Sequence, residues 1–240
     1  MAPASAPFHD TMSGGPEGGA AWWVITEDGV QIRVGAWPRA GARGTLLLFP
    51  GRTEYIEKYG RTATAFAKRG YAMLAIDWRG QGLADRLLED RDTGYVEKFE
   101  DYQHDVAAVL DAADKLDLPK PYFLLAHSMG GAIGLRAVMS GLPVNAAAFS
   151  APMWGILMSA VMRPTAWAMS WSGKKTGMGH LMTPGTKPET YVLAEPFEDN
   201  NLTRDRDMYE YMRAQMRSYP DMALGGPSLH WLHEALQDTL

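Results

Sequence analysis

Ser128 sits in Ala126-His127-Ser128-Met129-Gly130-Gly131, directly after the apolar run Tyr122-Phe123-Leu124-Leu125 and ahead of a small-residue segment, Gly130 to Ser140, with helical character. A serine hydroxyl is a poor nucleophile at neutral pH. It needs a base to take its proton and preorganised donors for the oxyanion it generates. A sharp strand-to-helix turn, kept free of clashes by small residues, is one way to present such a serine. Ala126, Gly130 and Gly131 supply the small residues, and Ala126 stands where the G-x-S-x-G pattern has its first glycine. The segment therefore reads as a nucleophile turn with Ser128 as the nucleophile.

Two backbone N–H groups must then converge on the developing charge. The residue after the nucleophile supplies one, here Met129. The second comes from a loop after an earlier strand. Pro50-Gly51-Arg52 follows the apolar run Thr45 to Phe49, so the N–H of Arg52 is the candidate, and Gly51 lets the backbone approach closely. The Arg52 side chain reads either as a solvated arginine or as a contact for a polar or anionic head group.

The elements that must position these groups follow from apolar patterning. Ala21 to Thr26 and Val30 to Trp37 flank Glu27-Asp28-Gly29 as a hairpin. Thr45 to Phe49, Tyr71 to Ile76 and Tyr122 to Leu125 are continuously apolar, as strands buried on both faces should be, and Ala146 to Ser150 reads as a fourth short strand. Helices are expected over Ile56 to Arg69, Tyr95 to Leu116 and Gly130 to Ser140. Alternation of this kind makes a mostly parallel sheet flanked by helices, an α/β class fold, with function beyond the carboxyl ends of the strands. Residues 1–20, rich in Ala, Pro, Gly and Ser, read as a flexible arm, and 21–151 as the α/β core. After Ala151 the chain becomes rich in Trp and Met, so 152–226 reads as a helical cap insert with a charged amphipathic helix over Leu202 to Tyr219. Residues 227–240 read as a helix returning to the core, with Ser228 as its N-cap.

Composition narrows the function class. The 240 residues are 46% hydrophobic and 21% charged, an ordinary globular balance, and a net charge of −5 gives no electrostatic basis for nucleic-acid binding. With no cysteine there is no disulfide, thiolate metal site or Cys nucleophile. No metal cluster, phosphate loop or dinucleotide motif is present, so no cofactor is expected. No stretch has the length of a membrane span and the N-terminus lacks the pattern of a signal peptide. The chain thus reads as cytoplasmic, with transient contact to a membrane surface compatible. Oligomeric state leaves no signal.

Three stretches together carry a family resemblance: Phe49-Pro50-Gly51-Arg52-Thr53-Glu54-Tyr55-Ile56-Glu57-Lys58-Tyr59, Asp77-Trp78-Arg79-Gly80-Gln81-Gly82, and Ala126 to Gly131. They resemble the lysophospholipase/monoacylglycerol lipase branch of the α/β hydrolases, the serine aminopeptidase S33-like group, and its bacterial lysophospholipase L2-like members in particular. That family usually has His-Gly where this chain has Pro50-Gly51. The resemblance runs from about Ala20 to the last residue. It implies an α/β-hydrolase fold with a helical cap. It also implies a Ser, Asp, His order for the triad, with the acid after a strand beyond the cap and the histidine after the last strand. No apolar strand ending in Asp follows Pro227, and no terminal His loop appears. Triad Asp and His are therefore not identified in this chain, which reads as the front part of a longer hydrolase lacking the last strands of the sheet.

Other polar residues take plainer readings. Asp77 and Arg79 brace loops, Glu54 supports its loop or the site rim, and His127 packs away from the substrate. His9 and His104 have no constellation around them. His180 has no place in the expected triad, Asp238 is too near the end, and His230 and His233, on one helix, read as packing or solvent-facing residues. The function expected is hydrolysis of a carboxylic ester through an acyl-enzyme on Ser128, with a lipid ester (lysophospholipid or monoacylglycerol) favoured by the soft apolar cap side chains. The alternative is a catalytically impaired protein of this fold that binds an apolar ligand or a partner.

Overall fold

The computed structural model describes residues 3–239. Met1, Ala2 and Leu240, at the ends of the expected arm and of the last expected helix, lie outside the described residues. Contacts divide the chain into two compact units. The first runs to Arg79 and adds Leu83–Asp85 and Glu100–Trp154; the second comprises Gly80–Gly82, Arg86–Phe99 and the chain from Gly155 onward.

The first unit holds one seven-stranded sheet in the order β1-β2-β3-β5-β4-β6-β7. Its strands are β1 Ala4–Ala6, β2 Ala20–Ile25, β3 Gln31–Trp37, β4 Thr45–Phe49, β5 Ala72–Asp77, β6 Tyr122–His127 and β7 Ala147–Ser150. β2 and β3 form the expected antiparallel hairpin, β3 pairs antiparallel with β5, and β5, β4, β6 and β7 are mutually parallel. Every residue of β4 and β5 is buried, which explains their unbroken apolar runs. On one face Trp37, Leu46, Leu48, Ile56, Met73 and Ala75 form a core cluster, with Phe8, Phe66, Phe123 and Leu125 packed against it. Each such large side chain contributes roughly 1.5–3 kcal/mol on burial.

Residues 3–20 do not behave as the expected free arm. β1 pairs antiparallel with β2, and a short helix, α1 Asp10–Ser13, follows. The physical reason is a buried ion pair with bonding capacity to spare. The Arg33 guanidinium donates to the Pro7 carbonyl at 2.8 Å, and Glu57 accepts from the His9 N–H at 3.2 Å. Phe8 also packs edge-on to Trp37 at 5.7 Å.

Two expected helices start later than periodicity suggests. Ile56–Tyr59 is a 3-10 turn, and α2 covers Gly60–Ala67. The Ile56 N–H is held by the Asp77 carboxylate at 2.8 Å, and a Cβ on Gly60 would lie 2.0 Å from the Ser13 carbonyl oxygen, so this corner is tied down before the helix begins. Likewise α3 is Tyr102–Lys115, preceded by a 3-10 turn at Phe99–Asp101. The backbone before it is spent elsewhere in the second unit: Gly94 donates to the Gly226 carbonyl at 2.9 Å and accepts from the Ser228 N–H at 2.8 Å.

α4 is Met129–Met139. The second unit holds α5 Met162–Lys175, α6 Tyr191–Ala194, α7 Arg206–Ser218 and α8 Leu229–Asp238. α7 starts only at Arg206 because Asp205 caps it, accepting from the Met208 N–H at 3.1 Å. Ser228 caps α8 as expected, accepting from the Trp231 N–H at 3.0 Å. α8 packs on α5, so residues 227–239, expected to rejoin the core, cluster with the second unit. Among the described residues no helix is long and apolar enough to cross a membrane.

Candidate active site

β6 runs straight into Ser128, which occupies the N-cap position of α4 with φ 52° and ψ −120°. An L-residue with positive φ stores strain of order 1–3 kcal/mol and persists only where its surroundings dictate it. Here they do. The Ser128 N–H donates to the Ser150 carbonyl at 3.1 Å, and the Ser128 carbonyl accepts from Gly131 and Met153, each at 2.8 Å. The turn is also too crowded for side chains beside it. A Cβ on Gly130 would lie 2.2 Å from the Phe49 carbonyl oxygen, and one on Gly131 would lie 2.5 Å from Pro152 Cβ. The small residues after Ser128 are therefore required by close packing of α4 against the end of β4 at Gly130 and against Pro152 at Gly131.

Met129 is the first residue of α4. The N–H groups of a first helical turn have no intrahelical acceptor, and the helix dipole adds partial positive charge there. The loop after β4 comes up beside the same turn: a Cβ on Gly51 would lie 3.0 Å from Ser128 Cβ. This loop is held at both ends. The Trp78 indole donates to the Pro50 carbonyl at 2.9 Å, and the Gly51 N–H donates to the Glu54 carboxylate. Between them Thr53 has φ 63°. The Arg52 side chain is half-buried near Tyr102, and burial pushes its guanidinium down to about 10.

Glu54 gathers several donors. The Tyr59 hydroxyl donates to it at 2.5 Å, Lys58 donates to its other oxygen, and His127 Nε2 stands 3.7 Å from that oxygen. Burial works to raise the Glu54 carboxyl, but the Lys58 charge, with His127 beside it, outweighs burial and holds it below the usual carboxylate range. Burial, reinforced by Glu54, drives the Tyr59 hydroxyl well above its ordinary value. His127 is thus not the packing residue expected. It is half-exposed, with Nδ1 3.0 Å from the Ser150 carbonyl oxygen and Nε2 facing the Glu54 carboxylate at 3.7 Å. The i, i+4 spacing of Glu54 and Lys58 was the signal for this cluster, and the contribution of His127 had none, since β6 brings it from far along the chain.

Asp77 and Arg79 brace loops as expected. Buried Asp77 accepts from the Ile56 and Leu83 N–H groups, each at 2.8 Å, and pairs with Arg33. Arg79 bridges Asp105 at 2.8 Å and Asp28 at 2.6 Å. Burial, against the pull of Arg79, raises Asp105 to about 7, while the Arg79 bonds lower Asp28.

Among the described residues, no hydrogen bond joins the Ser128 hydroxyl to an imidazole, and no group of three or more His, Cys, Asp and Glu side chains is arranged to hold a metal ion. His104 faces Glu27 at 3.9 Å on the surface. His230 and His233 are both buried in the second unit. His230 Nε2 lies 2.7 Å from the Glu97 carbonyl oxygen, and His233 stands edge-on to Trp167 at 5.5 Å, with burial, and Lys174 nearby, lowering its pKa.

Comparisons with known proteins agree with this architecture. Lysophospholipase L2 of Escherichia coli K12 is 33% identical over 195 residues, covering 80% of this chain and 56% of that protein. Probable lysophospholipase L2 of Haemophilus influenzae is 28% identical over 200 residues, covering 83% of this chain and 62% of that protein. The chain thus spans a little over half the length of these relatives. Among solved structures, a soluble variant of monoglyceride lipase from Saccharomyces cerevisiae superimposes with a TM-score of 0.64 at 24% identity, covering 90% of this chain and 67% of that one. A carboxyl esterase from Bacillus coagulans gives 0.66 at 14% identity, covering 93% and 73%. These likenesses establish the α/β-hydrolase fold. Residues 40–239 match the family described as Serine aminopeptidase, S33 (Hydrolase_4), and with that match, on this fold, the chain belongs to that family.

Proposed function

We propose that this chain carries the nucleophile and oxyanion side of a serine hydrolase that cleaves a carboxylic ester through an acyl-enzyme on Ser128. The observation that supports it best is the backbone of Ser128, strained at φ 52° between a parallel strand and the first turn of α4. Strain of this kind collects at functional sites. In the reaction the Ser128 oxygen attacks the ester carbonyl while a base takes its proton. The N–H groups of Met129 and Arg52 stabilise the oxyanion, the alcohol departs, and water releases the acyl group. The names of the relatives, lysophospholipase L2 of one bacterium and probable lysophospholipase L2 of another, favour a lipid ester of the lysophospholipid kind.

The alternative reading is a protein of this fold that binds an apolar ligand or a partner with little turnover, as loss of a triad histidine would leave it. The magnitude is large: in one serine protease, removing the histidine costs about a millionfold in kcat. A fluorophosphonate probe with peptide mapping, run beside a lysophosphatidylcholine and monoacylglycerol hydrolysis assay, separates the two. Labelling at Ser128, abolished in Ser128→Ala, together with release of fatty acid, is the expected result. Folded protein that neither labels nor turns over would sink the hydrolase reading for this chain.

A further inference from the structure

Glu54 stands out among the buried titratable groups because the reaction proposed above gives it nothing to do. It is 9% exposed, follows the positive-φ residue Thr53, and bonds its own loop and the turn just after it through its carboxylate. One oxygen accepts from the Gly51 N–H and from the Tyr59 hydroxyl, and the other accepts from Lys58 and faces His127. His127 is the residue before Ser128, and its other ring nitrogen reaches the Ser150 carbonyl that also receives the Ser128 N–H. A single carboxylate therefore touches the backbone of the loop that carries Arg52 and a neighbour of the nucleophile turn.

We infer that Glu54 is a positioning residue: its carboxylate clamps the Gly51–Thr53 backbone in its left-handed turn against the Ser128 elbow, so that the Arg52 N–H is aimed at the oxyanion. The inference rests on the reading of Ser128 as nucleophile. Its physical basis is the short loop itself. A turn with a non-glycine residue at φ 63° does not hold its shape unaided, and the buried bond from the Gly51 N–H to the carboxylate, which ties the turn to Glu54, is broken if the carboxylate is removed. Tyr59 donates to the same carboxylate oxygen as Gly51, Lys58 holds the other oxygen, and His127 at the end of β6 faces that second oxygen at 3.7 Å.

The test is the rate of fluorophosphonate labelling of the full chain, resolved into probe affinity (Ki) and reaction rate (kinact), with amide hydrogen exchange measured in parallel. In Glu54→Ala we expect kinact to fall about 10- to 100-fold with Ki little changed, short of the roughly 100- to 1000-fold cost of losing an oxyanion donor outright. Glu54→Gln, which keeps one acceptor for Gly51 or Tyr59, should recover part of that loss. Exchange should accelerate at Gly51, Arg52 and Thr53 in Glu54→Ala, less in Glu54→Gln, and not elsewhere in the sheet. If Glu54→Ala does not fold, Glu54→Gln decides through the same readouts. Wild-type kinact in a folded Glu54 variant, with unchanged exchange at residues 51–53, overturns the inference. If the wild type itself does not label, the hydrolase reading fails, and the exchange data alone decide the clamp: faster loop exchange upholds it and unchanged exchange overturns it.

Discussion

Gly51 and Ser128 meet with almost no space between them: a Cβ on Gly51 would lie 3.0 Å from the Ser128 Cβ and 3.0 Å from a Glu54 carboxylate oxygen. Gly51→Ala must therefore push the loop off the elbow or the carboxylate off the loop. Overpacking of this kind costs about 1–3 kcal/mol. We expect a lowered denaturation midpoint and fluorophosphonate labelling slowed at least about tenfold, in line with a misaimed oxyanion donor. Labelling at the wild-type rate would show that the contact is slack.

Ser128 itself should trade stability against chemistry. At φ 52° any residue with a Cβ is strained, and glycine is not. Ser128→Gly is expected to raise unfolding free energy by up to about 1 kcal/mol relative to Ser128→Ala, the release of strain outweighing the extra entropy of glycine when unfolded. Both variants lose labelling entirely. Urea denaturation of the pair checks it, and an Ala variant at least as stable as the Gly variant would contradict the strain.

Arg33 is fully buried between Glu57 and Asp77, each 2.8 Å away. Removing the one cation leaves two buried carboxylates together, and breaking a buried pair this way costs about 3–5 kcal/mol. Arg33→Met should approach that loss and also free the N-terminal segment, since Pro7 loses its donor. Faster hydrogen exchange in residues 4–13 is the accompanying sign. The triple change with Glu57→Gln and Asp77→Asn should recover much of the stability.

The pH dependence of the Glu54 cluster has a definite sign. The Lys58 charge holds this carboxyl below its ordinary value of 4.5 in the folded state despite burial. A depressed folded pKa gives stability that is fully present above the unfolded value and is lost as pH falls through the folded one. The stability difference between wild type and Glu54→Gln should be flat above about pH 5 and shrink below pH 4.5. Denaturation midpoints of the two proteins across that range provide the measurement, and a difference independent of pH would argue that Glu54 is not ionised.

Local chemistry settles much of this molecule. The apolar runs of β4 and β5 could only be buried strands, because continuous apolar sequence of that length has no solvent face to offer. Ser128 and its small neighbours marked a sharp turn for the same kind of reason, since crowding at a strand-to-helix corner excludes Cβ atoms. Ser228 as an N-cap was legible because a cap acts over only three residues. What the sequence could not disclose are relationships made across distance. Helical spacing extends back to Tyr95, yet α3 begins at Tyr102, because the backbone near Gly94 bonds to Gly226 and Ser228. The N-terminal stretch looks like an arm, yet it is anchored by an Arg33–Glu57 pair assembled from separate strands and turns. His127 next to Glu54 belongs to the same class. Period and propensity act over a few residues, whereas the partner that satisfies a buried charge or N–H is chosen by the folded chain, and only the tertiary structure brings Gly51, Glu54 and His127 around Ser128.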